Sequence, residues 1–377
     1  MKGLKELKIG EMLIKYRRQK GITQDDLAKH MGVSKASVSK WETSTSYPDI
    51  TLLPRIASYF NITVDELLGY EPQMTKKQIQ ACIEQLSQDF SSKPFEEAKQ
   101  ACVNLTKKYY SCFPLLYQIG NLYVSYSGMI QNKQFAEALL TDAIELFQRV
   151  RTCADEIDLE KQARSMEAMC LLFLNRFNEA LELLGEPDFS FTSDEPIFAS
   201  AYRLSGETQK AKGILQVGMY QHVVVLMNLL VIYLNMVVEE PEKFNETRSK
   251  AYALIEAFSL DTLHPAIVFP LYLALAQCYI KLDDQENAIE VLEKYTHLAV
   301  SKIYPIQFHG DSYFDLMDSW FDEHLILGCM MVRSEQEIKD SIVGSIVDNP
   351  IFAELKNDNR FLEMIHKLNS LRKDYKT

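Results

Sequence analysis

Residues 23–42 read TQDDLAKHMGVSKASVSKWE, and this stretch decides the fold of the first part of the chain. Thr23 and Asp26 make an S/T-x-x-acid start, in which each side chain can satisfy an unpaired N–H at a helix terminus, so a helix is expected to begin near Gln24. Leu27, Ala28 and Met31 then share one compact apolar face. Gly32 follows where the chain must turn with a positive φ, and Ser34 is suited to cap a second helix. In that helix Val38 and Trp41 are three apart and point inward, leaving Lys35, Ala36, Ser37, Ser39 and Lys40 outside. Small residues permit close approach to a duplex, and lysines can meet phosphates or guanine edges.

The flanks agree. Ile9 to Gln19 reads as a preceding helix with Ile9, Met12, Leu13 and Tyr16 on one face, stopped by Gly21. Ser44 to Asp49 is a polar turn containing Pro48. Ile50 to Phe60 is expected to be a fourth helix, its Leu52, Leu53, Ile56, Ala57 and Phe60 closing a small core. Thr63 and Glu66 form a capping box that starts a short fifth helix ending at Gly69. The polar, proline-bearing YEPQMT then reads as a linker.

With G-I-T-Q-x-x-L-A, the turn glycine, W-E and the terminal D-E-L-L-G in order, residues 9 to 69 resemble the five-helix helix-turn-helix domain of the phage-repressor and Xre type. The resemblance covers about a sixth of the chain. It implies that Gln24 holds a phosphate, that Lys35, Ala36, Ser39 and Lys40 face base edges, and that Ser34, Ser37 and Thr43 belong to the same DNA-binding surface, Ser37 and Thr43 meeting the backbone. Position 36 departs from the pattern, being alanine where a long amide or arginine is usual, so base contact there reduces to a thymine methyl. Arg17 and Glu42 are expected to pair inside the domain and not to touch DNA.

The whole chain has 377 residues, 47% hydrophobic and 24% charged, ordinary for a globular protein of two or three domains. Residues 1–70 hold 11 Lys and Arg against 8 Asp and Glu, a net of +3, while the remainder holds 29 against 44, a net of −15, which together make the total of −12. The basic end is the candidate nucleic-acid surface, and the acidic remainder would repel a duplex. The most apolar stretch, Val223 to Val238, reads as too short to span a bilayer and is interrupted by Asn228 and Asn235. No signal core follows the basic N-terminus, so a cytoplasmic location without membrane attachment is expected. Seven scattered cysteines with no C-x-x-C read as reduced and mostly buried.

After the linker the texture is helix upon helix. Three segments align: AMCLLFLNRFNEALELL from Ala168, ASAYRLSGETQKAKGIL from Ala199 and AQCYIKLDDQENAIEVL from Ala276. In each, a small residue is followed by Leu171, Tyr202 or Tyr279, then by Ala180, Ala211 or Ala288, then by Leu184, Leu215 or Leu292. This is the spacing of a tetratricopeptide-like helical hairpin, in which small residues let two helices approach closely. A longer unit is expected around Tyr233 and Ala251. The tail is expected to form capping helices over about 335–372, with Phe352, Leu355, Phe361 and Ile365 inward. The fold class is therefore all-α: a five-helix head at 1–69, a linker at 70–76, and a TPR-like right-handed helical solenoid at 77–377.

A solenoid presents a concave groove suited to extended peptides. By their repeat positions, Asn121, Ser125, Gln162, Arg203, Asn228, Asn235, Gln277 and Lys281 are the candidate ligand-binding residues, since an amide can donate and accept at once along a peptide backbone. Alternatively these amides cap or bridge neighbouring helices. No catalytic motif is present: there is no P-loop, no G-x-S-x-G and no H-E-x-x-H. Neither a metal nor a cofactor is expected. Asp311, Asp315, Asp318 and Asp322 fit one helical face, either a cation site or, more plainly, a solvated acidic surface.

An Xre-type domain followed by a TPR-like domain resembles, in architecture, the peptide-sensing quorum regulators of Gram-positive bacteria, the PlcR-, PrgX- and Rgg-like group. The resemblance implies a homodimeric, sequence-specific transcription regulator modulated by a small signalling peptide. The alternative is a protein-interaction adaptor whose solenoid binds a partner protein while the head localises it.

Overall fold

The structure is a computed structural model that describes residues 8–70, 73–130, 132–187, 193–329 and 331–372. Among these residues there are helices and no strands. The chain divides into two compact units, Met1–Thr75 with Lys107–Cys112, and Lys76–Thr106 with Phe113–Thr377.

The first unit holds α1 (Ile9–Gln19), α2 (Gln24–Met31), α3 (Lys35–Glu42), α4 (Leu53–Phe60) and α5 (Val64–Leu68). Its boundaries follow from local chemistry. Thr23 and Asp26 form both bonds of a capping box, with Asp26 N–H donating to Thr23 Oγ1 at 3.2 Å and Thr23 N–H to Asp26 Oδ2 at 2.9 Å. Thr63 and Glu66 repeat the arrangement at α5. Gly32 ends α2 at φ 73° and Ser34 accepts the Ser37 N–H at 3.1 Å to begin α3. Residues 50–52 form a 3-10 turn, so the expected fourth helix starts later, at Leu53 with Pro54 in its first turn. The core is Ile9, Leu13, Leu27, Ala28, Met31, Val38, Trp41, Ile56, Ala57 and Leu67.

Residues 71–72 of the expected linker lie outside the described residues. Gln73 and Met74 are tied down, through Gln73 Nε2 to the Ser111 carbonyl at 2.9 Å and Met74 N–H to Cys112 Sγ at 3.4 Å.

The second unit begins with α6 (Lys76–Ser92), α7 (Phe95–Lys108), α8 (Phe113–Ser127), α9 (Lys133–Cys153), α10 (Ile157–Phe173) and α11 (Phe177–Leu184). It continues with α12 (Glu195–Leu204), α13 (Thr208–Met236), α14 (Pro241–Phe258), α15 (Leu260–Leu263), α16 (Pro265–Lys281) and α17 (Gln285–Ala299). It closes with α18 (Met317–His324), α19 (Glu335–Val347) and α20 (Asn359–Asn369), the last preceded by a 3-10 segment Pro350–Asn357. Phe352, Leu355 and Phe361 are buried there and Ile365 packs at the margin.

The three aligned segments are the hairpins α10–α11, α12–α13 and α16–α17. The alanines at both aligned positions of all three are buried, which fits helices that approach where side chains are smallest. The turns match as well. Asn175, Gly206 and Asp283 each take a positive φ, and the N–H one residue later reaches back to the carbonyl of Leu171, Tyr202 or Tyr279 at 2.8–2.9 Å. This is the Schellman closure of a helix end. Only one of the three positions is glycine, so the motif hides in the sequence.

At the last aligned position the three segments differ: Leu184 on α11 and Leu215 on α13 are 41% and 42% exposed, while Leu292 on α17 is buried. Around Tyr233 and Ala251, where a longer unit is expected, α13 runs unbroken for 29 residues, packing on α12 at one end and on α14, which carries Ala251, and α16 further along. At that length α13 is long and apolar enough to cross a membrane by length and composition, contrary to the shorter estimate. In this unit it is a packed helix whose Tyr220, Val223, Met227 and Leu234 enter the main core.

The ends of the second unit meet. Ser91 Oγ on α6 donates to Glu337 Oε1 at 2.7 Å and the Tyr126 hydroxyl on α8 donates to Glu337 Oε2 at 3.1 Å. Glu337 is itself the third residue of α19, whose Ser334 cap donates both N–H and hydroxyl to the same carboxylate.

Helix approach is tightest at Gly120, where an added Cβ would lie 2.6 Å from the Phe147 ring, which is fully buried. Gly120→Ala is expected to lower stability by about 1–3 kcal/mol through overpacking, read as a shifted urea midpoint.

Candidate functional site

The exposed edge of α3 is built on a charged clamp. Arg17 on α1 donates Nε to Glu42 Oε1 at 2.6 Å and Nη2 to Glu42 Oε2 at 3.0 Å, and its Nη1 donates to the Ile22 carbonyl at 3.0 Å. Gln24 on α2 adds its amide to Glu42 Oε2 at 2.9 Å. Three helices are thereby fixed through one carboxylate, whose side chain is 4% exposed. Burial alone would raise the Glu42 pKa, but the hydrogen bonds from Arg17 and Gln24 prevail and hold the carboxyl below its usual range. Gly10 lets α1 cross the end of α3: a Cβ there would stand 2.7 Å from the Trp41 carbonyl oxygen. Sequence reasoning passed over this glycine.

On the outer side Lys35, Ala36 and Lys40 are exposed, and Ser37 and Ser39 half-buried. Ser34 Oγ sits 2.9 Å from Ser37 Oγ while capping the helix, and Thr43 Oγ1 donates to the Ser39 carbonyl at 3.0 Å. The hydroxyls of Ser34, Ser37 and Thr43 therefore shape both ends of α3. Gln24 spends one amide hydrogen on Glu42, which makes it part of the clamp.

The eight residues expected around a ligand are scattered over α8, α10, α12, α13 and α16. Asn235 is exposed and also bridges helices: Nδ2 donates to the Val231 carbonyl at 2.9 Å and Oδ1 accepts from Cys278 Sγ at 3.6 Å, joining α13 to α16. Gln162, Arg203, Asn228 and Lys281 are exposed, and Ser125 and Gln277 half-buried. Asn121 differs, since its Oδ1 is buried and unpartnered. None of the eight lines the cleft described next.

That cleft runs beside α14, α15, α16 and α17 as three adjoining hollows of about 480–530 Å³. Lys294 lines all three, and Tyr252, Glu256, Asp261, Tyr272 and Glu290 each line two of them. Tyr252 and Tyr272 lie 6.2 Å apart, Lys294 Nζ is 4.7 Å from the centre of the Tyr252 ring, and Arg248 donates to the Tyr279 hydroxyl. Burial pushes the Tyr252 and Tyr272 hydroxyls upward, so both remain donors. The available signal was the i, i+4 pairs Arg248/Tyr252 and Glu290/Lys294, set on two helices that the repeat brings together.

The aspartate set is not one helical face, because α18 begins only at Met317. Asp311 Oδ1 accepts the Tyr313 and Phe314 N–H groups at 2.8 Å, Asp315 binds Gln216, and Asp318 accepts the Gly310 N–H at 2.6 Å. Among the described residues no three His, Cys, Asp or Glu side chains converge as metal ligands. Cys102, Cys112, Cys170 and Cys278 are buried, and burial pushes the Cys102 and Cys170 thiols up to about 12.

The helix-turn-helix family model matches residues 13–67. An uncharacterized HTH-type transcriptional regulator of Methanocaldococcus jannaschii is 34% identical over 56 residues, which are 15% of this chain and 85% of that protein. This chain belongs to the helix-turn-helix transcriptional regulators. The HTH-type transcriptional activator BcrR of Enterococcus faecalis is 38% identical to this regulator over 69 residues, which are 18% of this chain. The regulator spans only about a third, 34%, of the length of BcrR. Among solved structures it is similar to PlcR of Bacillus thuringiensis in complex with the peptide PapR7 and DNA, at 15% identity and a TM-score of 0.25, over 70% of this chain and 99% of that one. It is also similar to the Streptococcus dysgalactiae SHP pheromone receptor Rgg2, at 13% identity and a TM-score of 0.23, over 84% and 99% of the two chains.

The clamp gives the regulator a pH signature. Because the folded pKa of Glu42 is depressed, its contribution is complete above the unfolded carboxylate value, about 4.3, and is lost as pH falls through the folded value. Glu42→Gln is expected to cost about 3 kcal/mol at neutral pH and to remove this component of the acid transition. Trp41 fluorescence in a Trp320→Phe background reports both.

Proposed function

We propose that this regulator binds its operator as a homodimer through the α3 edge, with Lys35, Ala36, Ser39 and Lys40 at base edges and Gln24, Ser34, Ser37 and Thr43 around the phosphates. The observation that carries the reading is the exposed Lys35–Ala36–Lys40 edge on a base locked by Arg17, Glu42 and Gln24. A preset recognition helix loses little freedom on docking, and its lysines face outward from the one basic part of an acidic chain. Two heads are needed because a single module of this size buries only about 600–1,000 Å².

The second part of the reading is that the repeat unit takes an extended peptide in the cleft of Tyr252, Tyr272, Glu290 and Lys294. Paired tyrosines offer large, stiff contact area with a polar tip, and the flanking cation and carboxylates suit a peptide's charged termini. Occupation of the cleft would shift the balance of conformations that set the two heads for DNA.

Fluorescence anisotropy on the protein's own upstream DNA across a salt series tests the first part. Lys35→Ala with Lys40→Ala is expected to weaken specific binding at least roughly 30-fold and to reduce the salt slope by about 0.9 for each phosphate no longer neutralised. Unchanged affinity in the double variant would remove α3 as the reading element. For the cleft, Tyr252→Ala is expected to abolish any change in DNA affinity caused by a peptide fraction of spent culture medium, with dimer and fold retained. A response that survives in the variant places the peptide elsewhere.

A further inference from the structure

Among the described residues the stack of helical hairpins in the second unit is interrupted between α11 and α12. Successive hairpins of a solenoid bury their apolar faces on their neighbours, and the ends of such a stack must be polar to stay soluble. Here α11 packs on α10 and α12 packs on α13, yet among the described residues α11 and α12 share no packed face. Of α11 only Ala180 is buried, and of α12 only Ala199. Both open faces are apolar. Phe177, Leu181 and Leu184 line one side of α11 at i, i+4 and i+7, and Ile197, Phe198 and Leu204 project from α12. These six are between 41% and 81% exposed.

At roughly 150–250 Å² for a large apolar side chain, the six leave on the order of 700 Å² of apolar surface in water. A specific pair buries about 800 Å² from each partner, a figure the two faces together approach. The rims carry opposite charge. Glu182 on α11 and Arg203 on α12 are exposed and have no ion-pair partner among the described residues.

We propose that a second copy of this chain covers both faces, α11 of one protomer packing on α12 of its partner and the reverse. This deepens the dimeric reading above and rests on it. A two-fold axis makes every such contact twice, so two unfinished edges on one chain become two completed helix stacks in the pair. The dimer interface is then the interruption itself, and each repeat array is continued by the other chain.

Sedimentation velocity of the full chain across micromolar concentrations tests this with Leu181→Glu and Ile197→Lys. Each variant alone is expected to raise the dimer dissociation constant at least roughly 100-fold, since a buried unpaired charge occurs twice per dimer. Circular dichroism and thermal midpoint should stay as in the wild type, because both positions are exposed within the protomer. Mixing the two variants in equal amounts is expected to restore the dimer, the introduced glutamate of one chain meeting the introduced lysine of the other. Variants that remain dimeric, or a mixture that stays monomeric, overturn the α11–α12 pairing while leaving dimerisation elsewhere intact. A wild-type chain that is monomeric throughout overturns the dimeric reading together with it.

Discussion

Close approach of helices at small residues is the constraint on which both units depend. Gly10 admits the crossing of α1 over the end of α3, Gly120 seats the Phe147 ring, and the buried alanines at 168, 180, 199, 211, 276 and 288 draw each hairpin together. Where backbones come this near, dispersion and the exclusion of water act over many atoms at once. Larger side chains are then forced to the outer faces, where they must find another helix, a ligand or a partner.

In the first unit that constraint joins with electrostatics. α1 crosses the end of α3 at Gly10, and the same pairing of helices brings Arg17 to Glu42. A bidentate pair with a planar guanidinium has one good geometry, so the crossing angle and the ion pair specify each other. A buried pair of this kind is a poor source of net stability but a strong source of uniqueness, and a recognition surface needs the latter.

Much of the head was legible from residues 23–42 because its signals are local: a capping box, a turn glycine and a short apolar face. Arg17 and Glu42 were legible only through the resemblance, since nothing in a sequence pairs two charges 25 residues apart. The repeats were legible at their alanines and hidden at their turns, where Asn175 and Asp283 adopt the backbone that Gly206 alone advertises. The candidate ligand residues were the least legible. Spacing places an amide on a face but does not say which groups of a neighbouring helix it meets, as Asn235 meets Cys278. The cleft of Tyr252 and Tyr272 went unread because aromatic residues in a helical array ordinarily read as core. Leu184 differs in the opposite direction: its i, i+4 place after Ala180 is that of a buried residue, and on α11 it stays in water because no neighbouring hairpin packs there among the described residues.

The contact of Glu337 with Ser91 and Tyr126 has a consequence for how the chain is made. The residues it joins are separated by 246 and 211 positions. Chain closure over such a separation costs more entropy than any hairpin, and contacts of this span slow folding. During synthesis α6 and α8 emerge long before their carboxylate partner exists. The nascent repeat array must therefore wait, held only by neighbour-to-neighbour packing, until α19 leaves the ribosome and its capping box presents Glu337 ready-made. The head, complete by residue 69 in its own core, has no such dependence, so a growing chain holds a folded DNA-binding domain well before it holds a finished repeat unit.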